Sequence, residues 1–357
     1  MNKDFIPIRL REARKMCGYS LDQLVKAAKL NITRQCIYNY ERGVMQPKTT
    51  VAKALADTLG VSISYFYGET MKIDMPSLRS TGERCLTEDE KQQIEVQLSY
   101  WAERYLLKEK KAGIKTMFTN PLANTIISTF DDIILATDRL REIWNCGSGP
   151  IPAVLRLLER KGIKVLSEKL PDGIWGLSTY ADKCHPLLVV DMRPEKTTTD
   201  RLRFTACHEL AHLLLHFSDD CNIEKMCHKF ANFFLFPKQT FIEEMGGEHR
   251  ERLTLEELID LKELYGISVS AQVHAAWDLR MISREHYDWW YDEQIKKNCK
   301  EKGWGVYPYA ETIGREKRMD ARGKKNMKKH ILLIKYVEAK IITDKTIIQK
   351  KINNKQS

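Results

Sequence analysis

His208-Glu209-Leu210-Ala211-His212 constrains this chain more than any other run of residues. It lies in a stretch, Leu202 to Phe217, whose apolar positions Leu202, Phe204, Leu210, Leu213 and Leu214 read as a buried helix. One helical turn separates the two histidines, so both imidazoles project from one face. The pattern H-E-x-x-H suits two ligands of a tetrahedral zinc, with Glu209 placed to act on a metal-bound water. The competing reading is two packed histidines at helical spacing.

Two histidines leave such a site incomplete, because a catalytic zinc takes three protein ligands and keeps one position open. The next helical stretch is Asn222–Phe236, ended by Pro237. If it folds back as an antiparallel partner, Glu224 in its first turn comes over His208 and His212. His228 competes from one turn further on. His216 is a weaker candidate, two turns from His208 on a straight helix. Cys207 points away from His208. Upstream, Pro150 and Pro152 precede a helix over 153–161. Strands are expected at Ile163–Leu166, Ile174–Ser178 and Pro186–Asp191, forming a small sheet beside the metal helix. An edge of that sheet could hold an extended peptide by strand addition.

The first seventy residues read as five short helices. Ser20 and Thr33 are N-cap candidates, Thr50 could cap a helix over 51–59, and a last turn runs from Ser62 to Tyr67. Two helices joined by a tight turn make a helix-turn-helix, whose second helix enters the DNA major groove. Arg34, Gln35 and Asn39 lie opposite Ile37 on that helix. Arginine suits guanine, and Gln and Asn suit adenine. Thr33 and Lys48 are placed to hold phosphates. A small helical protein-interaction bundle is the alternative.

Charge supports nucleic acid at the ends. Residues 1–70 hold eleven Lys/Arg against six Asp/Glu, and residues 315–357 hold fourteen against four. With a net charge of +10 overall, the middle carries −5. No apolar run reaches a membrane span, and MNKDFIPIRLREARK has no signal-peptide core. A cytoplasmic protein without a membrane partner is expected. Nine cysteines, none in a C-x-x-C pair, read as free thiols. Residues 71–86 read as a linker, and Thr87-Glu88-Asp89-Glu90 as a capping box. It opens a helix with Ile94, Leu98, Trp101 and Tyr105 on its buried stripe. Leu135–Trp144 is a further amphipathic helix. A basic cluster over 317–329 precedes apolar residues at near-helical spacing from Ile331 to Ile352.

Two resemblances follow from these residues. LREARKMCGYSLDQL, ITRQCIYNYERGVMQP and AKALADTLGVSISYFYGE resemble XRE-family helix-turn-helix domains, with Leu24–Ile32 about two residues longer than the commonest form. PIPAVLRLLERKGIKVL, LLVVD, RLRFTACHELAHLLLH and IEKMCHKFANFFLFP resemble the ImmA/IrrE family of zinc-dependent endopeptidases, over roughly 150 to 305. That resemblance implies Glu224 as the third, acidic ligand, with His228 at its polar partner position. Family members often carry Tyr and Arg where this chain has His274 and Ala275.

Together these imply a mainly α chain with a small β-sheet (α+β): a five-helix bundle plus a zincin-like metallopeptidase domain. The expected division is 1–70 DNA-binding, 71–86 linker, 87–145 helical connection, 146–305 peptidase and 306–357 basic tail. The implied ligands are His208, His212 and Glu224, with Glu209 as general base and zinc, or manganese, as the metal. The implied partners are an operator-like DNA site and a protein substrate such as a repressor or antitoxin, with a homodimer suited to palindromic DNA. The rival is a non-proteolytic regulator or antitoxin-like protein whose metal site is structural or sensory.

Overall fold

Helix-forming segments dominate the computed structural model, which describes residues 4–67, 87–114 and 117–326. The expected linker over 71–86 and the apolar stretch from Ile331 lie outside the described residues. The chain divides into two units, Met1–Glu103 with Phe118–Ile313, and Arg104–Met117 with Gly314–Ser357. No described helix is long and apolar enough to cross a membrane.

Four α-helices open the first unit: α1 (Pro7–Met16), α2 (Leu21–Ala28), α3 (Arg34–Glu41) and α4 (Thr49–Thr58). Ser20 starts α2 with a capping box, its hydroxyl accepting from the Gln23 amide while the Gln23 side chain accepts from the Ser20 amide. Thr33 caps α3 by accepting from the Cys36 amide. Thr50 does not cap α4. The helix begins two residues earlier than expected, at Thr49, behind Lys48 and without a side-chain cap. The fifth helix is a 3-10 turn, Ile63–Tyr67. Leu10, Leu24, Ile37, Leu55 and Phe66 meet in one buried core.

Helix α5 (Glu88–Ala112) opens with the expected Thr87–Glu90 box. Its first half packs on the N-terminal helices. Arg9, wholly buried, gives Glu103 two hydrogen bonds of 2.7 and 2.8 Å and stacks over Tyr65. Gln93 and Gln97 donate to the Met16 carbonyl, one of the acceptors that the end of α1 leaves open. In the second unit, residues 315–326 are helical. There Lys108 pairs with Glu316 at 2.9 Å and Asp320 at 3.1 Å, and Arg315 with Glu109 at 3.4 Å. Part of the basic cluster therefore sits on a helix whose acidic residues are also paired.

The rest of the first unit surrounds a three-stranded sheet. After β1 (Ile126–Ile127), Thr129 caps α6 (Phe130–Trp144), five residues earlier than the apolar pattern suggested. The helix α7 (Val154–Arg160) leads to β2 (Lys164–Ser167), β3 (Gly176–Ala181) and β4 (His185–Val190). The sheet order is β2-β4-β3, with β2 parallel and β3 antiparallel to β4. β2 and β4 lie within one residue of their expected positions, and β3 starts two residues later and ends three later than expected.

The metal-motif helix α8 runs Thr199–Leu214. It does not reach Phe217, because Leu215 turns extended and His216–Phe217 become β5, paired in parallel with β1. Helix α9 (Ile223–Leu235) starts at the Asn222 cap and folds back along α8. Leu202, Ala206, Leu210 and Leu214 of α8 share a core with Cys227, Phe230 and Phe234 of α9 and with Val165 and Leu188 of the sheet. Beyond it, α10 (Lys238–Glu244), α11 (Leu255–Tyr265), α12 (Val269–Asp278) and α13 (Arg284–Trp289) enclose a second core around Phe233, Phe236 and Trp290.

Arg203 fastens these layers. Fully buried, it donates to Glu311 at 2.6 Å and to the carbonyls of Ile151, Tyr265 and Gly266. Glu311 also accepts from the Val154 and Leu155 amides at the start of α7. Gly266, with φ of +64°, brings the chain so close that a Cβ there would stand 2.6 Å from Arg203 Nε. Removing one partner from a buried ion pair strands the other charge, at about 3–5 kcal/mol. Glu311→Gln is therefore expected to lower the unfolding free energy by that order, seen as a lower urea midpoint by far-UV circular dichroism.

Candidate metal centre

Helix α8 has two faces. One buries Leu202, Ala206, Leu210 and Leu213. The other carries Arg201, Thr205, His208, Glu209 and His212 along a cleft of about 1890 Å³. Antiparallel packing on α9 pairs Phe204 with His228 and sets Glu224 beside both motif histidines.

The three side chains converge. His208 Nε2 and His212 Nε2 lie 3.2 Å apart, and Glu224 oxygens lie 3.2 Å from the first and 3.6 Å from the second. Among the described residues, these three form the one His/Cys/Asp/Glu group with donor atoms close enough to hold an ion, all within 4.8 Å. Hydrogen bonds from His208, then from His212, hold the Glu224 carboxyl well below the usual carboxylate range. Two imidazole nitrogens and an anionic oxygen turned to one point form a donor set that one divalent cation satisfies together. The residues fit the metal that the motif implies.

His216 stands on β5, exposed and off the helix, so it is not a competing ligand in this fold. Cys207 is fully buried in the core, and burial pushes its thiol far above the ordinary range. His228 lies against the His208 ring, with centroids 4.5 Å apart. Its Nδ1 is 2.7 Å from the Glu224 carbonyl oxygen, which only accepts, so this nitrogen carries the proton. The bond ties His228 to the backbone of the Glu224 turn.

Glu209 points to the sheet side of the cleft. Ser178 on β3 donates to Glu209 Oε2 at 2.7 Å. Tyr180, two residues on, donates to the Leu213 carbonyl at 2.7 Å. Gly176 lies where β3 crosses closest: a Cβ there would stand 2.6 Å from Thr205 Cγ2 and 3.2 Å from Glu209 Cγ. Sequence reasoning had a strand here but no sign of these three contacts. An isolated glycine inside a strand pattern was the available signal of a close backbone approach. Across the cleft, His274 on α12 meets the Tyr287 hydroxyl at 2.9 Å, and burial holds its imidazole below the ordinary value. Gly176→Ala is expected to destabilise the chain by about 1–3 kcal/mol through overpacking, measured as a lower urea midpoint.

The N-terminal candidates form one exposed strip. Arg34 and Gln35 are exposed on α3, Asn39 is half-buried, and Thr33 and Lys48 stand exposed at the caps of α3 and α4. Gln35 donates to Asn39 Oδ1 at 3.0 Å, and Arg34 lies 3.8 Å from Asp22. These are loose surface contacts that bases or phosphates can replace. Residues 10–66 match the helix-turn-helix family, and residues 158–276 match a peptidase family described as the IrrE N-terminal-like domain. No curated protein matches the chain.

Proposed function

We propose that this chain, a helix-turn-helix domain joined to an IrrE N-terminal-like domain, is a DNA-binding regulator that cuts a peptide bond in a regulatory protein such as a repressor or antitoxin. The observation that carries it is the convergence of His208, His212 and Glu224 with Glu209 beside them in one open cleft. A purely structural metal site has no need of a base next to its ligands. Residues 1–70 serve DNA, residues 146–305 serve hydrolysis, and 306–357 form a basic tail.

His208, His212 and Glu224 would hold a zinc or manganese ion, which would supply Lewis acidity to a water and to the scissile carbonyl. Glu209 takes the proton of the attacking water and returns it to the leaving amine. Ser178 holds the Glu209 carboxylate toward β3 by its 2.7 Å hydrogen bond. β3 is the outer strand of its sheet among the described residues, and α8 lies against it. An extended substrate segment pairing with β3 passes over Glu209, with main-chain hydrogen bonds fixing its register. On α3, Arg34, Gln35 and Asn39 read base edges while Thr33 and Lys48 hold phosphates. Two copies bind a palindromic site.

Glu209→Gln is expected to keep its metal and lose hydrolysis, while His208→Ala and His212→Ala lose the metal as well. The check is metal analysis of each purified chain, then incubation with zinc and the proteins encoded beside it. Full cleavage by Glu209→Gln removes the base from the mechanism. A metal-loaded chain that cuts none of these proteins while still binding DNA favours a regulator without protease activity. For DNA, Arg34→Ala should relax one base position at a cost of about 1–3 kcal/mol. Lys48→Ala should weaken all sequences alike and flatten the salt dependence by about one ion. Binding titrations on a selected DNA site at several salt concentrations separate the two outcomes.

A further inference from the structure

The exposed row of α8 does not end at the metal residues. Two turns toward the helix start, Arg201 lines the same cleft, with its guanidinium carbon 3.7 Å from the centre of the Trp175 ring. The indole covers one face of the guanidinium and leaves its N–H edge in plane, a fork shaped for a carboxylate. Among the described residues, no carboxylate or carbonyl meets that edge.

The neighbouring charges are already committed. Lys196, 5.5 Å from the same ring, lies 3.2 Å from Asp191 and also donates to the carbonyls of Leu170 and Pro171. Asp200 and Glu301 both face the buried Lys262, at 3.6 and 2.7 Å. Arg193 is held by Asp191, donating to its two oxygens at 2.9 and 2.7 Å. Lys300 and Lys302 add two exposed cations to the cleft lining. Asp172 and Glu195 also line this end, and Arg201, stacked on Trp175, is its guanidinium without a hydrogen-bonded anion among the described residues.

Its distance from the chemistry is set by two independent elements. Arg201 precedes Glu209 by eight helical residues, roughly 12 Å at the helical rise. Trp175 precedes Ser178, the partner of Glu209, by three extended residues, roughly 10 Å. An extended peptide advances about 3.3 Å per residue, so either span corresponds to about three residues. Direction follows as well. Gly176 abuts Thr205, Ser178 bonds Glu209 and Tyr180 bonds Leu213, so β3 and α8 run the same way. A peptide antiparallel to β3, as β4 is, therefore passes Trp175 with its C-terminal side.

We propose that Arg201, seated on Trp175, is a specificity subsite that selects substrates bearing Asp or Glu about three residues C-terminal to the scissile bond. The proposal rests on the peptidase reading above and adds a substrate class to it. Lys300 and Lys302 widen the same preference without fixing its position.

The test uses the full chain carrying Glu209→Gln and loaded with zinc. The probes are short peptides with an N-terminal hydroxamate to chelate the metal, extending in the C-terminal direction. Each carries Asp, or Asn as control, at the second, third or fourth residue, and calorimetry gives the affinities. The Asp probe is expected to bind about tenfold tighter than its Asn twin at the third residue, as a charge-assisted hydrogen bond provides. Arg201→Gln should abolish that preference and leave the Asn probe unchanged. Arg201→Lys, which keeps the charge but not the fork, should retain part of it. Equal affinities for Asp and Asn probes, or a preference that survives Arg201→Gln, overturn the subsite and leave the metal site standing. A chain that retains no zinc and binds no hydroxamate overturns the metal site and the subsite together. Melting curves for each variant identify one that fails to fold, in which case Trp175→Ala replaces it, with the same loss of preference expected.

Discussion

Burial of one face of α8 is the constraint on which the rest of this structure depends. Leu202, Ala206, Leu210 and Leu214 must leave water, and the sheet and α9 supply the surfaces that cover them. The polar face then has nowhere to go except the cleft. His208 and His212 are held side by side as a consequence of apolar packing behind them. The energy that positions the polar site is therefore hydrophobic, and the electrostatics act on side chains already placed.

Three contacts translate that packing into a site. Antiparallel association with α9 sets Glu224 over both imidazoles. The missing side chain at Gly176 lets β3 approach α8 closely enough for Ser178 to reach Glu209. The buried Arg203–Glu311 pair joins α8 to the start of α7 and the loop after α11. Each is a short-range contact between residues distant in sequence. The same helix thus serves a core through Arg203 and Leu210, turns His208 and His212 to a candidate metal site, and carries Arg201 at the proposed subsite.

The strip proposed to face DNA obeys a different logic. Its residues are exposed, apart from the half-buried Asn39, and make only loose surface contacts, as suits groups that exchange partners on binding. Its rigidity comes from the core beneath, where Ile37 anchors α3, and from Arg9, which ties α1 to α5 through Glu103. Burying the Arg9 charge is tolerated because Glu103, itself partly exposed, matches it with two hydrogen bonds.

Much of this was legible in residue order, because helices and their caps are local. The spacing of His208 and His212, the caps at Ser20, Thr33 and Thr87, and the three strands all follow from residues a few positions apart. The helix ends were less legible. Nothing local distinguishes Leu214 from Phe217, and the helix stops because His216 and Phe217 pair with Ile126 and Ile127, some ninety residues earlier. The apolar pattern alone could not separate Glu224 from His228, since both lie in the first turns of α9. The direction in which α9 folds back brings Glu224 to the two imidazoles and bonds His228 to its backbone. The sequence by itself determined which residues are candidates for a metal and for DNA, through helical periodicity and side-chain chemistry. Only the tertiary structure decided that Ser178 holds Glu209, that Gly176 makes room for it, and that Arg201 rests on Trp175. Those pairings depend on how a strand and a helix pack face to face, which no short stretch of sequence encodes.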